Sequence, residues 1–322
     1  MTYFYGLMTA LWLCCVSFSA NGQESSNLQW HGYFSQGITQ SIDSDFITSD
    51  NQISAELTEI GLNGLDQVAS NISIAGQVVY LDGGNRFEQG SRLDYLFIDW
   101  TVDDIAGWQA QIHLGRYKNS HWLYSVTRDV PQTRDTAVLP QSVYFDGFRD
   151  VALGSNGIQT RFSKYTDNHV WEVNWSYGRS TINEEQRDYL LGSLALGEIK
   201  QDFVHQFSVF WQPASMNWKL GASWLDSDFE YIPLEQDNRF AGMSNIRRFM
   251  ISMQYFSENW ELSSELLREI QDFNGVFTPD YYDKRTGEGG FVQLRYLFSP
   301  RLSGWVSYDT YTNHVKEPKC GK

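Results

Sequence analysis

The chain has 322 residues and a formal net charge of −15, from 39 Asp and Glu against 24 Lys and Arg. Aromatics supply 16% of it, including 12 Trp and 18 Tyr, yet mean hydropathy is only −0.41. Such low hydropathy excludes a bundle of membrane helices and the acidity argues against nucleic acid, whereas many aromatics in a polar chain fit a transmembrane β-barrel, in which lipid-facing and lumen-facing side chains alternate.

Residues 1–22 read as a secretory signal. The apolar stretch from Leu7 to Phe18 is too short to span a bilayer as a helix, and Ala20-Asn21-Gly22 places small residues at a cleavage site. The segment lacks the usual Lys or Arg before its apolar core. Cys14 and Cys15 fall inside it, so Cys320 is the only cysteine expected in the exported chain and no internal disulfide can form.

From residue 28 onward, period-two alternation dominates. In HVWEVNWSY, His169, Trp171, Val173, Trp175 and Tyr177 share one face, opposite Val170, Glu172, Asn174 and Ser176. WQAQIHL sets Trp108, Ala110, Ile112 and Leu114 against Gln109, Gln111 and His113. FVQLRYLF sets Val292, Leu294, Tyr296 and Phe298 against Gln293 and Arg295. The pattern predicts thirteen strands, near 28–40, 53–64, 71–80, 92–102, 108–117, 150–162, 169–178, 202–212, 217–226, 246–256, 259–270, 290–299 and 302–313. ELTEIGL and RLDYLFIDW change face midway, which predicts bulges in the second and fourth.

The predicted connections alternate between short and long, so one end of the sheet carries tight turns and the other carries large loops. Bacterial outer-membrane barrels have that asymmetry; a soluble β-sandwich, the competing class, gives no reason for it. Trp30, Trp108, Trp171, Trp218, Trp260 and Trp305 each stand at or near the start of an odd-numbered strand, just after a short connection or the leading segment. Tryptophan prefers membrane interfaces, so these six are expected to form one aromatic girdle.

The longest connection, 118–149, is too long for a turn and is neither polar nor low in complexity. It carries Trp122, Leu123, Tyr124, Val138, Leu139, Val143, Tyr144, Phe145 and Phe148, and should therefore fold against something. Bases concentrate around it: Arg116, Lys118, Arg128, Arg134 and Arg149. A sticky, locally basic loop in an acidic β-protein points to a segment folded into a lumen. Asp129 and Asp135 supply the opposite sign, while Arg161, Lys219, Arg248 and Arg295 extend the basic surface along the predicted inner faces. Arg128-Asp129 and Arg134-Asp135 could instead pair with each other and only hold the loop's shape.

LQWHGYFSQG, SAELTEIGLNG, LGRYKN and RDVPQTRDTAVLPQSVYFDGFRD, at residues 28–37, 54–64, 114–119 and 128–150, resemble the general porin-like outer-membrane proteins of Gram-negative bacteria. The similarity extends over residues 28–312. It implies an all-β fold, a transmembrane antiparallel barrel of about sixteen strands. It implies one barrel domain over residues 23–313 and a non-barrel tail at 314–322. Residues 118–149 would be the third external loop, folded inward to narrow a water-filled channel for small hydrophilic solutes and ions. Outer-membrane lipid, lipopolysaccharide and a homotrimer are the implied partners. Thirteen strands is an odd number and the sequence stops at EPKCGK with no closing aromatic, so about three C-terminal strands are expected to be missing.

Nothing in the sequence suggests a cofactor, a metal or a catalytic centre. The six His lack metal-ligand spacing and no nucleophile motif occurs. Acids at 43, 45, 50, 184, 185, 188, 226, 228, 230, 235 and 237 are expected in the outer loops, either simply solvated or bridged to lipopolysaccharide by divalent cations. A non-conducting adhesin or structural barrel is the alternative function, with the inner loop as a plug.

Overall fold

The computed structural model describes residues 28–40, 46–48, 53–128, 130–131, 134, 136, 138–148, 154–300 and 302–315. Thirteen strands form one sheet in sequence order. They are β1 (Leu28–Gln40), β2 (Ile53–Ala69), β3 (Ile72–Leu81), β4 (Gly90–Ile105), β5 (Trp108–Lys118), β6 (Gly154–Tyr165), β7 (His169–Arg179), β8 (Glu198–Pro213), β9 (Trp218–Ile232), β10 (Gly242–Phe256), β11 (Trp260–Gly275), β12 (Tyr282–Ser299) and β13 (Leu302–Val315). Every neighbouring pair is antiparallel, the outcome expected when consecutive strands are joined by hairpins. Among the described residues no ladder joins β1 to β13.

All thirteen predicted strands exist, and most run further toward the long-loop end than the alternation showed. The connection expected at 227–245 shrinks to 233–241, and that at 271–289 to 276–281. The extensions of β10, β11 and β12 are mostly polar, so their alternation is weak, whereas those of β8 and β9 carry Ile199, Phe229 and Tyr231 inward, where they pack with Leu191, Ala195 and Val276. The fourth strand has its bulge, which leaves Asp94 as the extra residue between Gln77 and Val78 of β3. In β2 one irregularity falls at Ala55 and Glu56, at the very start of ELTEIGL rather than midway through it, and a second falls at Val68. The long 180–197 connection holds one short helix, α1 (Glu184–Leu191). Asn183 and Gln186 cap it reciprocally, each side chain bonding the other's backbone N–H.

Burial is inverted relative to a soluble protein. Gln77, Gln159, Asn174, Ser176, Gln206, Ser208, Ser252, Glu265, Glu269 and Gln293 are buried, while Phe34, Leu62, Ile98, Phe249, Ile251, Leu266, Val292 and Tyr308 are exposed. The sheet thus turns its polar face inward and its apolar face outward, as a barrel in hydrocarbon requires.

The outward band has a regular height. On β5 the outward series is Trp108, Ala110, Ile112, Leu114 and then Arg116; on β7 it is Trp171, Val173, Trp175, Tyr177 and then Arg179. Strands β9 and β11 repeat it from Trp218 to Asp226 and from Trp260 to Arg268, and β10 and β12 run it in reverse from Tyr255 to Arg247 and from Tyr296 to Glu288. An aromatic and a charge therefore bracket the band eight residues apart on six strands. At about 3.3 Å per residue and a tilt of about 40°, that spacing is about 20 Å of height.

Five of the six expected girdle residues, Trp30, Trp108, Trp171, Trp218 and Trp260, lie on this outward face at the tight-turn end. Trp305 does not. It stands opposite Arg295, and the same inward face of β13 carries Asp309, opposite the buried Phe291. The phase of β13 is set by Val306 and Tyr308, which point outward and place Trp305 within. Single-Trp variants should report this directly. Lipid-attached quenchers should find Trp30, Trp108, Trp171, Trp218 and Trp260 at one shallow depth, and Trp305 should answer to an aqueous quencher instead. A lipid-quenched Trp305 would overturn the register of β13.

Candidate functional site: the inner loop and its wall

The segment from Asn119 to Phe148 enters the space enclosed by the sheet. Its aromatic residues explain why. Trp122, Tyr124, Leu139, Val143 and Tyr144 pack with Met250 of β10, Leu267 of β11 and Phe291 of β12 into a small apolar core against the inner wall. Tyr124 and Tyr144 each lie about one ring width from Phe291, with centroids 6.3 Å away. Burying such rings is the main favourable term available to a loop that must otherwise stay in water.

Polar bonds then fix the loop's position. At the centre of the β11 wall, Glu265 is fully buried and accepts from the Leu123 N–H at 3.0 Å, the Tyr144 hydroxyl at 2.5 Å and the Ser252 hydroxyl at 2.7 Å. Burial, reinforced by the adjacent Glu265 carboxylate, pushes the Tyr144 phenol well above its ordinary range, so it remains a donor. His121 sits between the hydroxyls of Ser176 on β7 and Ser208 on β8, at 2.9 and 3.0 Å. Burial pushes its pKa down to about 3, and the nearby Arg161 adds to the shift, so the ring is neutral near pH 7 with one nitrogen donating and the other accepting. On the far side, Asp309 of β13 accepts from the backbone N–H groups of Gln141 and Ser142. A single loop thus touches β2, β7, β8 and β10 to β13, which requires the sheet to curl around it.

Several of the bases expected to line a pore are anchors. Lys118 is buried against Asp94 at 2.7 Å. Arg128 is buried and pairs with Asp146, which also takes Arg86 at 3.1 Å. Arg134 reaches across to Glu59 of β2 at 2.5 Å and donates to the Arg128 carbonyl. These two arginines therefore pair with Asp146 and Glu59 and hold the loop in place. Asp129, Asp135 and Arg149 lie outside the described residues. Arg116 is a correction: its β-ladder partner is the outward Leu96, and its Nε donates to the Leu93 carbonyl at 3.0 Å. The inward positions of β5 are Gln111 and His113, so parity places Arg116 on the outer face.

The remaining bases stand at inward positions of the sheet, and Arg161, Arg248 and Arg295 each lie beside an acid. Arg161 lies between Asn174 and Glu172, Arg248 binds Glu269 at 2.5 Å and covers the Trp122 ring, and Arg295 is 3.4 Å from Glu261. The Lys219 ammonium rests on the Phe210 ring at 4.6 Å, and Gly221 leaves the space that ring fills. The lumen is therefore of mixed sign rather than a basic ring. Strand alternation by itself does not single out the partners Glu59, Asp94, Asp146, Glu261, Glu265, Glu269 and Asp309. Parity does group those on β11, because Glu261, Ser263, Glu265, Leu267 and Glu269 share one face of WELSSELLRE. At the loop-side mouth, a cavity of about 330 Å³ opens between Arg86, Phe87, Arg92, Asp146 and the start of α1. A narrower gap of about 170 Å³ lies between the loop and the inner face of β1 and β2, at Ser35, Glu59, Pro131 and Arg134. Among the described residues no group of His, Cys, Asp and Glu is placed to hold a metal. Of the acids assigned to outer loops, Asp226, Asp228 and Glu230 lie within β9 and Glu184, Glu185 and Asp188 within α1; Asp43, Asp45 and Asp50 lie outside the described residues.

No protein-family model and no curated protein sequence matches the chain. Solved structures do. The outer-membrane channel DcaP of Acinetobacter baumannii superposes with a TM-score of 0.55 at 12% identity, over 89% of this chain and 79% of that one. OmpT of Vibrio cholerae, in trimer form, gives 0.49 at 9% identity over 91% and 90%, and OmpF of Salmonella typhi gives 0.39 at 14% over 90% and 91%. The fold is that of a porin-like outer-membrane β-barrel, the sheet being open between β1 and β13 among the described residues.

Two variants probe the anchoring. Glu265→Ala leaves the Leu123 N–H and the Tyr144 hydroxyl without their buried acceptor and should weaken loop docking by about 2–4 kcal/mol, seen as faster tryptic cleavage between residues 119 and 148 of the folded protein. Acid should loosen the wild-type loop as well. A folded pKa below the ordinary His value of about 6.5 means the His121 contribution is present above that pH and is lost as pH falls toward 3. Protection factors of the loop amides, which correct for the slower intrinsic exchange in acid, should fall over that window, and His121→Gln should flatten the response. An unchanged pH profile in His121→Gln would remove His121 from the role of anchor.

Proposed function

We propose that the chain forms an outer-membrane channel for passive diffusion of small hydrophilic solutes and ions, with residues 119–148 as the element that narrows it. The carrying observation is the inverted sheet with a polar, mixed-charge lumen, entered by a loop tied to strands near both edges of the sheet, at Glu59 of β2 and Asp309 of β13. A selective passage needs fixed charges at a narrow, partly desolvated place, where each acts strongly. Arg161, Lys219 and Arg295 against Glu172 and Glu261 supply both signs on the tight-turn side of the loop. That balance favours weak ion selectivity. Likeness to the A. baumannii channel supports a transport role over a catalytic one.

The second reading, a plugged barrel acting as a structural module or adhesin, draws on the number of walls the loop touches and on its aromatic core. Planar-bilayer recording separates the two. The channel reading expects stepwise conductance, and Arg161→Gln with Lys219→Gln should shift the reversal potential toward cations by removing two lumen bases. An inserted protein that passes no current until the loop is shortened would establish the plug.

A further inference from the structure

The apolar band on β5, β6 and β7 ends in one lateral row of polar residues. Arg116 stands opposite Asn156, and Asn156 opposite Arg179. Directly opposed residues share a face with Cβ atoms about 5 Å apart, so two guanidinium side chains flank an amide from bases about 10 Å apart. Immediately toward the tight-turn end runs a second row, Leu114 opposite Ile158 opposite Tyr177, apolar and facing outward. Polar and greasy rows thus lie side by side on the outside of the sheet, at the height where the band gives way to charge.

The row differs from other outward arginines at that height. Arg247 lies 2.5 Å from Asp272, and Arg268 lies 3.6 Å from Glu288, so those positive charges are neutralised within the sheet. The ladder through Arg116 continues to Leu96 on one side and ends at Arg179 on the other, with no carboxylate at any of its four positions. In a chain of net charge −15, an outward row carrying only positive charge stands out electrostatically. Guanidinium groups match phosphate oxygens with paired, parallel N–H donors.

We propose that Arg116, Asn156 and Arg179 bind the headgroup of a phosphorylated glycolipid in the outer leaflet, with Leu114, Ile158 and Tyr177 receiving the start of an acyl chain. The site deepens the channel reading, because it assumes that the long-loop end of the sheet faces the outer leaflet. Two guanidinium groups rooted about 10 Å apart suit a rigid sugar bearing two separated phosphates better than a single phosphodiester.

The test is native mass spectrometry of the detergent-solubilised full chain, titrated with bisphosphorylated lipid A, monophosphorylated lipid A and phosphatidylglycerol. The wild type should bind the bisphosphorylated lipid at least about tenfold more tightly than the other two, a difference readily read from the titration. R116Q/R179Q should lose that preference, R116K/R179K should keep part of it through charge alone, and R247Q/R268Q should keep it fully. Unchanged binding in R116Q/R179Q, equal loss in R247Q/R268Q, or equal binding of phosphatidylglycerol would each overturn the assignment. Vesicle flotation separates the two levels. Protein that floats but shows no lipid preference removes only this site, whereas protein that stays in the aqueous fraction removes the membrane barrel beneath it.

Discussion

In hydrocarbon a backbone N–H or C=O without a partner costs several kcal/mol, roughly, so a spanning sheet must satisfy each strand sideways and carry its apolar side chains on the outside. That constraint organises the molecule. It fixes strands long enough to cross with a tilt, turns the polar positions inward, and leaves the lumen without a core. The loop from Asn119 to Phe148 supplies one. Its rings bury themselves against Met250, Leu267 and Phe291, and its polar groups use the inward Glu, Gln and Ser positions that an outward-greasy sheet necessarily presents.

Charge follows the same division. Inside, most bases meet an acid, and Glu265 and Asp309 are met by hydroxyl and backbone N–H donors instead, since an isolated charge in a narrow polar lumen partly shielded by the loop is unfavourable. Arg128, Arg134, Arg86 and Lys118 thereby become structural, and Asp146 joins two of them to one point of the loop. Outside, charges appear only where the apolar band stops. The recurring step of eight residues from an aromatic to a charge locates both edges of that band on six strands without reference to any bilayer.

Much of this was legible in the residues. Alternation found every strand, the RLDYLFIDW change of face found the bulge at Asp94, and the run of Trp and Tyr between 118 and 149 announced a loop that must bury itself. Side-chain partners across long sequence separations were not legible. Nothing local to Arg134 points to Glu59, and nothing local to Gln141 points to Asp309, because such pairings depend on how the sheet curls. Phase decides two residues. Arg116 follows its parity with Leu114 rather than its closeness to the loop, and Trp305 follows its parity with Asp309 rather than its place after a turn. The helix α1 carries a local signature, the capping box of Asn183 and Gln186, but is only eight residues long.

The central claim, that an inverted sheet curls around its own inner loop, is tested most directly by spin-label accessibility along β10 in lipid. Labels at Phe249, Ile251 and Met253 should be reached by oxygen dissolved in the membrane. Labels at Met250, Ser252 and Gln254 should be shielded from both oxygen and a water-soluble nickel reagent, because the loop covers them. A flat profile, or one in the opposite phase, would contradict the account.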